Sequence, residues 1–281
     1  MGDAFAHEIM VTAGGRVARA AVRRWSQHFR VDAPGWSTLD AELNRWAPRS
    51  AVFWWRDDDA ADCTAPPFGQ LLALRARLGL PLGLAVIPAT ATDALPAALA
   101  GLSAAELRVL VHGWDHRDRA APGAPRAEFT RERDPREAAQ QLAAARGRIE
   151  TLFPRHALPV LVPPFNSLAA TLVPAVCRAG FHYVSVDRDF PALGIATRNV
   201  HADVIDWRRM TARCPGALVR GLLAALRLRR AGLVRRHTPV GVLTHHLAQD
   251  DAAWSLACTL LERLAAHPAV AFPPIEEIFA A

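Results

Sequence analysis

Hydrophobic and polar positions follow two rhythms along this chain. From about residue 50, short and continuously apolar runs are separated by longer amphipathic stretches. The runs "AVFWW", "PLGLAVIP", "RVLV", "LPVLVPP", "HYVSV" and "PVGVLTHH" have strand length and stay apolar at successive positions. Side chains alternate between the two faces of a strand, so runs of this kind bury both faces. Between them lie "FGQLLALRARLGL", "LPAALAGLSAAEL", "PREAAQQLAAARGRIETLF", "AATLVPAVCRAG", "GALVRGLLAALRLRRAG" and "DDAAWSLACTLLERLAAH", each with helical spacing. Their ends carry chemical marks. Asp134 and Pro135 open one helix, Gly180 and Gly232 stop two others, and paired acids start the last long one. "ADVIDW" reads as extended, and "AVAF" and "PIEEIFAA" close the chain.

Strands buried on both faces and alternating with helices predict parallel strands covered by helices, an α/β architecture. About seven such repeats predict a closed or nearly closed barrel over residues 49–281. Residues 1–48 read as a helical extension. There, "RVARAAVRRWSQHF" puts Val17, Ala21, Trp25 and Phe29 on one stripe of a basic helix. "STLDAELNRW" follows, with Ser37 and Asp40 spaced as a capping-box variant. The expectation is that this extension packs on the barrel.

Composition narrows the function classes. Of 281 residues, 51% are hydrophobic and 21% charged, the balance of a globular chain. The net charge is +6, but the chain has no Lys and its Arg residues are scattered, so no nucleic-acid footprint emerges. Cys63, Cys177, Cys214 and Cys258 lie far apart and form no metal-ligand pair, which suits reduced thiols. No apolar stretch has signal-peptide or membrane-span form, so a cytoplasmic protein without a membrane span is expected. No Gly-rich dinucleotide or phosphate loop occurs. The polar segment "RDRAAPGAPRAEFTRERD" is long for a loop, and long loops are commonly functional.

The candidate chemistry collects where predicted strands end: "WWRDDD", "HGWDH", "VPPFN", "DVIDW" and "LTHH". In parallel barrels that end of the strands carries the active site. Asp57, Asp58 and Asp59 repel one another next to a buried strand, and a divalent cation would relieve the repulsion. His112 and His116 would share one face of a helical turn, about 6 Å apart, with Gly113 easing the change from strand. One carboxylate added to two imidazoles leaves open metal positions for water or substrate. His245 and His246 point to opposite faces if the strand continues, so at most one enters the site. Asp206 lies at a neighbouring strand end, and a carboxylate-oriented His makes a good general acid.

Taken in order, these motifs resemble the polysaccharide deacetylase family, the NodB-homology or carbohydrate esterase family four proteins. The resemblance covers roughly residues 50–247. It implies a distorted (β/α) barrel and a divalent metal that serves removal of acetyl groups from N- or O-acetylated carbohydrates. "RDDDA" matches the first motif best with Asp58 as base and Asp59 as metal ligand; Asp57–Asp58 is the other register. "HGWDH" matches the His-x-x-x-His motif, with Gly113 in the place of a Ser or Thr. "VPPF" matches a motif that normally begins with Arg, where this chain has Val162. That Arg helps position the base, and Arg56 is the candidate substitute. "DVIDW" supplies Asp206 and Trp207, and "LTHH" supplies His245.

The implied scheme places the ion, zinc first, on Asp59, His112 and His116; cobalt, nickel and manganese suit the same ligands. Asp58 would be the base and His245 the acid, oriented by Asp206. Trp114, Phe165 and Trp207 would wall the substrate, Asn166 would contact it, and a backbone N–H near Pro164–Phe165 would meet the oxyanion. Asp57, Arg56 and His246 stand as secondary candidates. Two rivals accompany this reading. One is a related barrel hydrolase for another C–N amide bond; the other is a non-catalytic sugar-binding or scaffold protein, motivated by Val162.

Overall fold

The computed structural model describes residues 35–189 and 192–280. The basic helix expected around Val17 to Phe29 lies outside the described residues. In chain order, the first part comprises α1 (Trp36–Asn44), β1 (Ala51–Ala60), α2 (Pro66–Leu78), β2 (Leu82–Val86), α3 (Ala94–Leu99) and β3 (Leu107–Val111). Next come α4 (Pro135–Leu152), β4 (Ala157–Leu161), α5 (Val173–Arg178), β5 (Tyr183–Val184), β6 (Ala196–Thr197) and β7 (Val200–Asp203). A small hairpin, β8 (Ile205–Asp206) and β9 (Thr211–Ala212), precedes α6 (Pro215–Arg230) and β10 (Val240–Thr244). The chain finishes with α7 (Asp251–Ala266), β11 (Val270–Ala271) and α8 (Ile275–Ala280).

The main sheet runs β6-β5-β4-β3-β2-β1-β10-β7, with β11 beside the start of β1, and its pairings are parallel. It is the expected distorted (β/α) barrel, with more and shorter strands than the apolar runs suggested. Closure depends on one stretch of chain. Residues 196–197 pair with β5, while residues 200–203 pair with β10. Between them Asn199 is buried; its Oδ1 accepts from the Val186 N–H and its Nδ2 donates to the Arg188 carbonyl.

Two apolar layers follow from strand alternation. Phe53 and Trp55 of β1 join the larger cluster with Leu82, Leu84, Val109, Val242 and the helices. Trp54 joins a smaller one with Ala85, Leu110, Val162 and Leu243, closed off by Ile275, Ile278 and Phe279 of α8. Trp54 meets Phe279 edge-on, with centroids 5.4 Å apart. This second face is the concave one. Arg56, two residues beyond Trp54, donates at 2.6 Å to Ser185 just past β5, four strands away in the sheet.

Local signals acted as the sequence suggested at several ends. Asp134 caps α4 by accepting from the Arg136 and Glu137 amides at 2.8 and 3.0 Å. Asp250 caps α7 through the Ala253 amide. Others differ. The capping box at Ser37 and Asp40 does not form. Helix α1 starts two residues earlier, at Trp36 behind Gly35, without a side-chain cap, and Asp40 pairs with Arg263 instead. Leu39 and Leu43 are buried, and buried Glu42 accepts from Arg230 of α6 at 2.7 Å. The helix expected in "LPAALAGLSAAEL" is only six residues long, Ala94–Leu99, and ends before Gly101. All four cysteines are free thiols. No helix among the described residues is long and apolar enough to cross a membrane.

Candidate metal centre and its surroundings

Strand β1 does not stop at its acids; it runs on through Asp57, Asp58 and Asp59 to Ala60. The three carboxylates therefore take separate directions. Asp57 lies on the helix-covered face and is fully buried. Its carboxylate accepts from the Thr244 hydroxyl at 2.6 Å, the His246 amide at 3.1 Å and the His246 imidazole. Burial opposes the charge on His246, but the Asp57 carboxylate overcomes it and raises the imidazole. Neither residue lines the cavity described below.

Asp58 lies on the concave face with Arg56. The guanidinium holds it by Nη2 donating to Oδ2 and by an ion-pair contact of Nε with Oδ1, both at 2.8 Å. Nη2 also donates to Asn166 Oδ1 at 2.7 Å. Residues two apart in a strand share a face, and a planar guanidinium matches a carboxylate in two contacts. Arg56 thus reaches the carboxylate that Val162, an apolar core residue, cannot touch.

At Asp59 the backbone enters the left-handed region, φ 70°, and the carboxylate turns toward β3. Its Oδ1 lies 2.9 Å from His112 Nε2 and 3.1 Å from His116 Nε2. These three ligand atoms all lie within 4.8 Å of one another. The other nitrogen of His112, Nδ1, donates to the Val162 carbonyl at 2.9 Å, which aims Nε2 at Asp59 and makes it the nitrogen that would ligate an ion once its proton is displaced. A tetrahedral ion with bonds of about 2.0 Å has ligands about 3.3 Å apart, so the cluster is close to the size zinc takes. One carboxylate and two imidazoles also form a ligand set that divalent first-row metals accept. Burial works against the charge on Asp59, yet hydrogen bonds from both imidazoles hold it well below the usual carboxylate range. Burial likewise pushes His112 down, but Asp59 and the charge of Asp58 raise it overall.

The two histidines do not meet as neighbours on a helical turn. Residues 112–116 form a non-helical turn with Gly113 at φ 60° and His116 at φ 58°, and the ring centroids are 5.1 Å apart. A buried carboxylate from the long loop holds this turn. Glu128 accepts from the amides of Trp114 at 2.9 Å, Asp115 at 3.4 Å and His116 at 3.1 Å. Burial pushes its carboxyl above the ordinary value.

His245 stands across the cavity, its Nε2 3.9 Å from Asp58 Oδ2. Its carboxylate neighbour is Asp203, not the expected Asp206. Asp203 Oδ1 lies 4.0 Å from His245 Nδ1. Asp203 ends β7 and is held by the Ile205 amide at 2.9 Å and the Trp207 indole at 2.7 Å. Burial raises Asp203 against the lowering effect of His245. The chain turns into the β8–β9 hairpin right after Asp203, which carries Asp206 away; Asp206 accepts from the Arg208 amide of its own turn. Trp207 packs edge-on to His245, centroids 4.6 Å apart.

A cavity of about 720 Å³ joins these groups. Asp58, Asp59, His112, His116 and His245 line it, as do Phe165, Asn166, Asp203 and Trp207. Two expected substrate contacts are not on its wall. Trp114 packs against the main core, and buried Pro164 presses on Gly113. Residues that the sequence did not single out complete the wall, among them Arg126 above the Phe165 ring, His201 and Arg213. Asp203 lies inside the extended run "ADVIDW", with Val204 and Ile205 directly after it, and nothing in that run marks where the strand ends. Glu128 had only its place between Ala127 and Phe129.

No family model and no curated protein matches the chain. Solved structures do match, and they define the class of fold: that of polysaccharide deacetylases of carbohydrate esterase family four. A protein of Mycobacterium smegmatis assigned as a polysaccharide deacetylase aligns at TM-score 0.55 and 15% identity, over 83% of this chain and 90% of its own. A mutant of a family-four pseudoenzyme, in a form with restored enzymatic activity, aligns at TM-score 0.51 and 14% identity, over 83% of this chain and 68% of its own. A second mutant of that pseudoenzyme aligns at the same TM-score and 15% identity. At such identities the likeness is one of fold.

Proposed function

We propose that the protein is a metal-dependent hydrolase that removes acetyl groups from an N- or O-acetylated carbohydrate. One observation carries this reading: Asp59, His112 and His116 converge on one wall of a cavity that also presents an Arg-held Asp58 and, opposite, His245. The neighbouring folds named as polysaccharide deacetylases support the choice of substrate class. Asp59, His112 and His116 would hold the ion, zinc being the first choice. A bound divalent ion polarises a carbonyl and acidifies water.

The residues of the chain would do the rest. Asp58, fixed by Arg56, takes a proton from the attacking water. A backbone N–H near Pro164–Phe165 would meet the developing oxyanion. His245 gives a proton to the leaving amine or alkoxide, with Asp203 beside Nδ1 and Trp207 against its ring. The gap of 4.0 Å to Asp203 suits a site that tightens when substrate binds. Phe165 and Trp207 supply apolar walls, and Asn166 contributes an amide edge. Arg56 argues against a non-catalytic reading, because it fills the part that Val162 leaves open. A cytoplasmic location belongs to the proposal and is checked by fractionating cells that carry a tagged protein.

The test is acetate release from a panel of acetylated oligosaccharides, with zinc and after chelation. Release that stops with chelator and returns with zinc is the expected result. His116→Ala should lose metal retention and turnover together. Full turnover by the chelated protein or by that variant would refute the scheme.

A further inference from the structure

Gly113 carries no side chain because there is no room for one. A Cβ built there would lie 2.5 Å from Glu128 Oε2 and 2.5 Å from Pro164 Cδ. Glu128 has come up from the long loop into the space beside Gly113, and its two oxygens take three consecutive backbone amides, those of Trp114, Asp115 and His116. Consecutive amides aimed at one point form a concave anion-binding nest, and here the anion is a side chain of the same chain. Glu128 is itself fully buried. Its neighbour Phe129 anchors it, being fully buried in the core, with a carbonyl that accepts from the Ala169 amide at 3.0 Å. Arg119 comes within 4.0 Å of Glu128 and is itself gripped by Asp115 through two contacts of 2.8 Å.

His116 needs this support. Its backbone sits at φ 58°, a region that L residues with a Cβ rarely occupy without compensation, and its imidazole is a quarter exposed. His112 is fixed by its strand and by the Val162 carbonyl. His116 packs its ring on Phe165, centroids 4.6 Å apart, but no hydrogen-bond partner for its second nitrogen appears among the described residues, so its main chain carries the polar support.

We infer that Glu128 is a positioning residue for the metal centre: it holds the 113–116 turn so that His116 Nε2 faces Asp59, in place of the side chain that Gly113 lacks. This rests on the metal-dependent reading above. It gives the long loop a role that its length alone only hinted at.

The experiment uses the full chain, metal-free and then titrated with Co²⁺ and Zn²⁺. Wild-type protein should give a visible Co²⁺ band and a measurable Zn²⁺ affinity. Glu128→Gln keeps the shape but turns an N–H donor toward the amides. It should weaken Zn²⁺ binding about 10–100-fold, the usual cost of losing an outer partner of a metal site, and shift the Co²⁺ band. Glu132→Gln, in the same loop but with an exposed side chain paired to exposed Arg131, should change neither. Because the variant could also impair folding, hydrogen exchange on metal-free wild-type protein supplies a second readout. The amides of residues 114–116 should exchange as slowly as strand amides. Unchanged affinity and spectrum in Glu128→Gln, or fast exchange at those amides, overturns the inference while leaving the metal site standing. Absence of any Co²⁺ band in wild-type protein overturns the metal reading and this inference with it.

Discussion

Arg56 and Asp58 show how much depends on single side chains in this barrel. Both are buried, and each is the other's main compensation for losing water. Arg56→Met leaves a buried carboxylate without its cation. Breaking a buried pair from one side costs about 3–5 kcal/mol, so a large loss of stability in urea unfolding is expected. Turnover should fall by about 10²–10⁴-fold, the scale of general-base catalysis, because Asp58 also loses its orientation. The two acids of "DVIDW" separate cleanly at the same scale. Asp203→Asn should lower turnover by about tenfold or more, as expected for one charge-assisted hydrogen bond of about 1.5–3 kcal/mol. Asp206→Asn should leave it near wild type, since its side chain serves only its own turn. Equal losses in both variants would contradict the assignment of Asp203.

At the scale of elements, the site is built from strand ends and the turns that leave them. Strand β1 keeps its alternation far enough to send Asp57 under the helices and Asp58 into the barrel, and a left-handed residue then redirects Asp59. The turn after β3 has the same character, with Gly113 and His116 both left-handed. Gly113→Ala tests it. A left-handed Ala costs about 1–2 kcal/mol, and the overlap with Glu128 and Pro164 adds about 1–3 kcal/mol. Thermal melting of that variant should therefore show a clear drop, together with weaker Zn²⁺ binding. A neutral result would mean that the turn relaxes easily. The four-residue spacing of His112 and His116 suits a helical pair, yet residues 112–116 form an irregular turn. That spacing does not reveal that Glu128, whose carboxylate accepts from the His116 amide, lets the turn do the same work.

For the whole molecule, pH should act in opposite directions on the metal-free and metal-loaded protein. His112 is raised in the folded state, so its contribution is complete below about pH 6.5 and is lost as pH rises through the folded value. Asp59 is depressed, so its contribution is present above about pH 4 and is lost as pH falls through its folded value. Metal-free protein should therefore gain most from this pair between about pH 4 and 6.5. Zinc must displace the proton of His112, so its affinity should rise with pH, about tenfold per unit below the raised value, and level off above it. Melting with and without zinc at several pH values checks both slopes. Zinc stabilisation that grew toward acid pH would contradict His112 as a ligand.

The sequence by itself determined the alternation of doubly apolar strands and amphipathic helices, because burial on both faces leaves a local pattern. It also determined that acids and histidines gather at strand ends, and hence which residues were candidates. Only the tertiary structure decided which of Asp57, Asp58 and Asp59 faces which partner, since that depends on where β1 stops alternating. Strand alternation puts Arg56 and Asp58 on one face, but only tertiary structure could bring Arg56 to Asn166, Asp203 to His245, and Glu128 to the 113–116 turn. Arg56 to Asn166 and Asp203 to His245 join distant parts of the chain once the sheet has curled, while Glu128 reaches its turn across an irregular loop, and no local spacing encodes either kind of contact.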